Sequence, residues 1–196
     1  MYKINFNKII GFGQNGNIYE TNNDLAVKFP VTEKEIKVSK EMSKIIGPKI
    51  IKIIKTKTFD ETRKISLNGE KIKLKGNFMI MEKLNGLDLN DYIHEDIFIE
   101  DDDFWIQELV IKIKKMHKMG YCHNDLTTSN IFIIFNEINK VIGVRIIDFG
   151  LIKKITKKGR KEDFETLLGS LNTFGIQISD KIQPLLYLIE EELELI

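Results

Sequence analysis

YCHNDLTTSNIFIIF, residues 121–135, is the stretch on which the reading of this chain turns. It sets His123, Asp125 and Asn130 on a short loop between a segment of helical periodicity and an apolar, strand-like run. Asp125 offers a carboxylate that can take a hydroxyl proton, and Asn130, five positions on, an amide oxygen that can hold magnesium. Phosphoryl transfer needs both groups, in that order. The pattern is modest alone and gains specificity only if the other parts of an ATP site flank it.

Downstream, IFIIF at 131–135, a turn around 136–140 and VIGVRII form a second strand pair leading into Asp148-Phe149-Gly150. Asp148 is the second candidate magnesium ligand, since one carboxylate, one amide oxygen, phosphate oxygens and water satisfy that ion's preference for oxygen. His123 is read as a packing and hydrogen-bonding post for the loop. Just upstream, Trp105, Leu109, Ile113 and Met116 share a stripe of a helix ending at Gly120, with His117 structural in its last turn. The acids 100–103 before it are a helix start rather than a metal site, because adjacent helical residues do not face one another. His94 is read by default as an exposed loop histidine.

The first half reads as sheet. GFGQNGNIYE carries Gly11, Gly13 and Gly16, where missing β-carbons would let backbone close over a polyphosphate. A dinucleotide fold would open a helix at the third glycine, whereas Asn17, Ile18 and Tyr19 favour a returning strand and 22–24 a tight turn. A glycine turn in any hairpin remains the plain alternative. In DLAVKFP, Ala26 is small enough to lie against a purine and Lys28 alternates away from Val27 and Phe29 toward phosphates. Pro30 is expected to end that strand, and Thr32 to cap a helix over 33–46, closed by Gly47-Pro48. Glu35 shares that helix's inward face with Val38 and Met42, which makes it the expected partner of Lys28; Glu33 and Glu41 lie nearer the polar side. A strand over 49–59, a hairpin turning at Asn68-Gly69 and the strand NFMIMEKLNG follow. Position in this series makes Met81 the border of an adenine pocket, with backbone groups of Glu82 and Leu84 on the purine edge. Asp88 is equally suited to reaching a ribose and to capping the helix after it.

Glycine flap, AVK, helix glutamate, HNDLTTSN and IDFG stand in one order with compatible spacings over residues 6–150. In this the chain resembles the eukaryotic-type protein kinase superfamily. The run HNDLTTSN followed by IDFGL is more narrowly similar to the small atypical RIO kinases and the KEOPS-complex kinase/ATPase. The resemblance implies an α+β, bilobal fold in a single kinase-like domain, with a β-rich N-lobe over 1–82 and a reduced helical C-lobe over 83–196. It also implies ATP and Mg2+ as cofactors. Asp125, Lys28 and Glu35 become the catalytic set, and Asn130 and Asp148 the metal ligands. Gly11, Gly13, Gly16, Ile18, Ala26, Lys28, Met81, Glu82, Leu84 and Asp88 line the nucleotide.

The implied activity is phosphate transfer to serine or threonine hydroxyls of proteins, the chain's own included. The alternatives are a KEOPS-type ATPase supporting tRNA modification and a pseudokinase that only binds partners. Asn124 stands where regulated kinases carry arginine, and Thr127 where many carry a lysine on the transferring phosphate. No Ala-Pro-Glu follows Gly150, so the peptide platform is short, and the acidic end LIEEELELI departs from the basic tail of KEOPS kinases. Helices are expected over 163–174 and 180–194, with Asp163 tying the first to the catalytic loop; the basic residues Lys153, Lys154, Lys157, Lys158, Arg160 and Lys161 could hold an acidic substrate or RNA, and read more simply as a solvated loop.

Composition agrees with an ordinary globular protein, 42% hydrophobic and 30% charged. A net charge of +1 gives no argument for membrane or nucleic acid, and a nucleic-acid partner is expected only indirectly if at all. The single cysteine, Cys122, cannot staple the fold, and no apolar run suits a signal peptide or membrane helix. The expectation is a cytoplasmic monomer, with a KEOPS-like partner complex as a candidate association.

Overall fold

The computed structural model describes residues 9–12, 16–21, 24–55, 63–67, 70–74, 76–94, 103–173 and 182–196, with backbone alone at 63–67, 70–74 and 103. The chain forms two compact units, Met1–Lys44 with Pro48–Lys83, and Ile45–Gly47 with Leu84–Ile196. Among the described residues no helix is long and apolar enough to cross a membrane.

The first unit is built on a five-stranded sheet of β1 (Ile9–Gly11), β2 (Asn17–Glu20), β3 (Leu25–Val31), β7 (Asn77–Glu82) and β4 (Ile50–Ile54), in that spatial order. Each neighbouring pair is antiparallel. Alternation along the strands fills both faces. Val27 and Phe29 pack with Tyr19, Phe78 and Ile80 on one, and Ala26 with Met79 and Met81 on the other. The Val, Ile, Phe and Met side chains among them contribute about 1.5–3 kcal/mol each when fully buried. Helix α1 (Glu33–Met42) adds Ile36 to the Ala26 face, the one toward which Lys28 also alternates. Strands β5 (Arg63–Leu67) and β6 (Glu70–Leu74) form the expected hairpin, with Leu67 opposite Glu70; Asn68 and Gly69 lie outside the described residues. So do Gly13, residues 1–8 and the acids 100–102.

Three boundaries differ from expectation. Pro30 does not end β3; its missing N–H falls where the β3–β7 register shifts, between Lys28 and Val31, so no ladder bond is lost. Helix α1 stops at Met42 rather than 46, because Lys44 takes a left-handed backbone and the Ser43 hydroxyl turns to accept from the Ile50 N–H at 2.9 Å. Ile45–Gly47 then join the second unit, where the Ile46 carbonyl accepts from Ile146 N–H at 3.0 Å. Strand β4 is shorter than 49–59, and residues 56–62 are outside the described set.

The second unit places β8 (Gly86–Asp88), β10 (Ile131–Phe135) and β11 (Val141–Ile146) in one antiparallel sheet ordered β11-β10-β8. Its helices are α2 (Leu89–His94), α3 (Asp103–Lys118), α4 (Lys157–Asn172) and α5 (Gln183–Glu194). The α3 stripe is fully buried at Trp105, Leu109, Ile113 and Met116, as its periodicity required. Strands β9 (Tyr121–Cys122) and β12 (Lys153–Lys154) pair on either side of the loop and the Asp148 turn. Helix α4 starts six residues before its expected beginning at 163. The Thr156 side chain caps it by accepting from Gly159 N–H at 2.8 Å, so Lys157 to Lys161 are helical rather than loop.

Candidate active site

In the first unit the site residues sit on β1, β2, β3, β7 and α1. The glycine stretch joins antiparallel strands β1 and β2, a hairpin and not a strand-to-helix turn. Gly16 has a structural reason of its own: with φ +133°, a β-carbon there would meet the Pro30 carbonyl at 2.4 Å. Gly11 has no such constraint, since its nearest neighbour would be Ile18 at 3.6 Å. Ile18 lies opposite Lys28, and Ala26 opposite Met81.

Lys28 and Glu35 form an ion pair at 2.6 Å with side chains 3% and 1% exposed. Two elements bring them together. Strand alternation turns Lys28 toward α1, and the Thr32 hydroxyl, accepting from Glu35 N–H at 3.1 Å, sets the first helical turn that carries the glutamate. Glu33 instead pairs with Lys55 at the surface. Desolvating two charges costs several kcal/mol, and their attraction only roughly repays it. Such a pair is therefore poor evidence for stability.

Met81 is 7% exposed on β7. The Glu82 N–H donates to the Lys49 carbonyl at 2.9 Å, so that N–H is already engaged. The Glu82 carboxylate accepts from Lys49 N–H at 2.7 Å.

In the second unit, Leu84 precedes β8 and Asp88 ends it. Asp88 accepts from Asp91 N–H at 2.9 Å, the helix-cap role for α2, and burial raises its carboxyl above the usual range. The loop is braced internally. Asn130 Nδ2 donates to the Asp125 carbonyl at 2.8 Å and to Asp125 Oδ2 at 3.0 Å. With its nitrogen committed there, Asn130 presents its amide oxygen elsewhere, as a magnesium ligand must. Asp148 has left-handed backbone (φ 55°) and accepts from Gly150 N–H at 3.1 Å. The Asn130 carbonyl accepts from Ile147 N–H at 2.9 Å, tying the loop to the residue before Asp148.

The supports beneath were partly foreseen. Asp163, 1% exposed, accepts from the N–H groups of His123 (2.9 Å, Oδ2) and Asn124 (2.8 Å, Oδ1) and from His117 Nε2 at 2.8 Å. Asn124 can be held this way because asparagine tolerates the left-handed backbone found there (φ 65°). His123 is fully buried and donates from Nε2 to the Ile147 carbonyl at 2.9 Å; burial lowers its pKa and keeps it neutral. That fits a post rather than a base.

Sequence reading missed two groups. Lys112, 7% exposed, donates to the Ile45 carbonyl at 3.2 Å and pairs with Glu108 at 2.9 Å, while Glu108 accepts from Val144 N–H. Burial pulls the Lys112 ammonium below its usual range. Gly47 lies against the Phe149 ring, where a β-carbon would stand 2.6 Å from Cε2. The signals available were a lysine on the buried side of α3's stripe and a glycine before proline, neither specific.

Residues 4–172 match the protein kinase domain family. The serine/threonine-protein kinase chk1 of Schizosaccharomyces pombe is 30% identical over 95 residues, 47% of this chain and 18% of that relative. The serine/threonine-protein kinase CBK1 of Yarrowia lipolytica is 40% identical over 76 residues, 38% of this chain and 12% of that relative. The chain thus spans less than a fifth of the length of these curated relatives. A solved structure described as Rad53 kinase domain and SCD2 shares the fold, with a TM-score of 0.53 over 80% of this chain and 53% of that one, at 20% identity.

Proposed function

We propose, for a chain that belongs to the protein kinase family, magnesium-dependent transfer of the ATP γ-phosphate to serine or threonine hydroxyls of proteins, its own included. The buried Lys28–Glu35 pair at 2.6 Å carries this reading, since kinase chemistry depends on that pair being in place. The serine/threonine-kinase names of its relatives agree with the choice of acceptor.

Lys28, held straight by Glu35, binds phosphate oxygens of the nucleotide. Asp125 takes or orients the acceptor hydroxyl proton, and its bond to Asn130 keeps it aimed. Asn130 through its amide oxygen and Asp148 through its carboxylate are the oxygen ligands that suit magnesium. When bound, that ion offsets the negative charge gathering on the phosphoryl oxygens. Thr127, where a lysine would add a cation, supplies only a hydroxyl, so charge compensation would rest on Lys28 and on the ion that Asn130 and Asp148 would hold.

A second reading is ATP hydrolysis within a KEOPS-like complex acting on tRNA. It is favoured by the loop HNDLTTSN and by the short path from Gly150 to α4 at Lys157, which leaves little chain to seat a peptide. The two separate in one assay: labelled Mg-ATP is incubated with the protein and a generic protein acceptor, and labelled protein and free phosphate are both counted. Label on protein, lost in Asp125→Ala and Asp148→Ala, is the expected outcome. Free phosphate alone selects the ATPase, and neither product with ATP binding retained selects a partner-binding module.

A further inference from the structure

Where α3, the start of α4 and α5 meet, the second unit carries adjoining cavities of about 530 Å3 and about 360 Å3 that share Lys114, Lys118 and Glu192. Their apolar surface comes from Val110, Ile111 and Leu188 in the larger and from Ile155 and Phe164 in the smaller. Ile111 is 62% exposed, an apolar side chain amid lysines.

Of the five lysine and arginine side chains in these walls, Lys114 alone is paired among the described residues. Among the described residues Lys115, Lys118, Lys157 and Arg160 have no carboxylate within 4 Å. Lys158 and Lys161, outside the groove, each pair one turn on, with Glu162 and Glu165. The acidic side chain in the walls, Glu192, is taken by Lys114 at 2.7 Å, and Glu190, Glu191 and Glu194 of α5 lie outside them. Gathered like charges beside exposed aliphatic surface are complementary to a ligand that is both anionic and apolar. The two rings in the walls, Phe164 at 1% exposed and His117 at 9%, are both buried, so among the described residues nucleic-acid bases meet no exposed ring on which to stack.

We propose that this groove docks an acidic, amphipathic peptide segment of a protein partner, with carboxylates on Lys115, Lys118, Lys157 and Arg160 and apolar side chains against Val110, Ile111 and Leu188. The inference stands apart from the phosphotransfer reading. It has one link to the candidate site: His117 lines the smaller cavity and bonds to Asp163, which holds the catalytic loop.

The test is fluorescence anisotropy with a labelled peptide carrying glutamates and leucines at helical spacing, titrated with the full chain. Variants are Lys118→Glu/Arg160→Glu, the milder Lys115→Gln/Lys157→Gln, and Ile111→Ser, each checked for folding by circular dichroism. Saturable binding that weakens with salt is expected, reduced about tenfold by the double reversal and less by the other two. Three results would overturn the proposal: no saturable binding by the unsubstituted chain, affinity unchanged in every variant, or equal binding of polyglutamate or a single-stranded oligonucleotide.

Discussion

Asp163 has both carboxylate oxygens engaged, by two backbone N–H groups and one imidazole. Replacing it with asparagine sets an NH2 against one of those donors. Bonds to a charged acceptor contribute about 1.5–3 kcal/mol each, so Asp163→Asn is expected to lose about 3 kcal/mol in urea unfolding and most phosphate transfer with it. Phosphate transfer unchanged in the folded variant would contradict a positioning role. His123 makes a pH prediction. Its folded pKa is lowered by burial below the ordinary value near 6.5, so the unfolded chain binds the extra proton first. Stability is then greatest above about pH 6.5 and falls as pH drops below it. Melting scans from neutral to mildly acid pH check this, and His123→Phe should flatten that part of the curve.

At the scale of elements, periodicities were legible and ends were not. The α3 stripe, the strand alternation that aims Lys28 and the hairpin reading of the glycine stretch depend on local spacing, which a sequence displays directly. The end of α1 depends on Ile146 and Lys112, about a hundred and about seventy residues away, whose bonds draw Ile45–Gly47 into the second unit. The early start of α4 was hidden because a run of lysines was read by charge, while Thr156 could cap it. The missed contact between Gly47 and Phe149 gives a test. A methyl in Gly47→Ala must displace the ring beside Asp148, with an expected cost of about 1–3 kcal/mol and slower phosphate transfer. Chemical unfolding and the labelled-ATP assay read the two effects, and an unchanged protein would show that the ring yields freely.

On the scale of the whole molecule, the chain builds two separately cored units, and the candidate residues divide between them. Lys28 and Glu35 belong to the first, and Asp125, Asn130 and Asp148 to the second. The order of motifs was readable along the sequence because chemistry limits which residue types can do each task. Their supports were less so: of Asp163, Lys112 and Gly47, only the first was anticipated, since burial and distant pairing leave no local mark. The central claim is that Asp125 serves the acceptor hydroxyl in phosphate transfer. The most direct measurement is the rate of labelled γ-phosphate transfer from Mg-ATP by Asp125→Asn beside the unsubstituted chain, with ATP affinity measured on both. Loss of a positioned general base should slow transfer by about 10²–10⁴-fold with nucleotide affinity little changed. Transfer at the original rate would contradict the role assigned to Asp125.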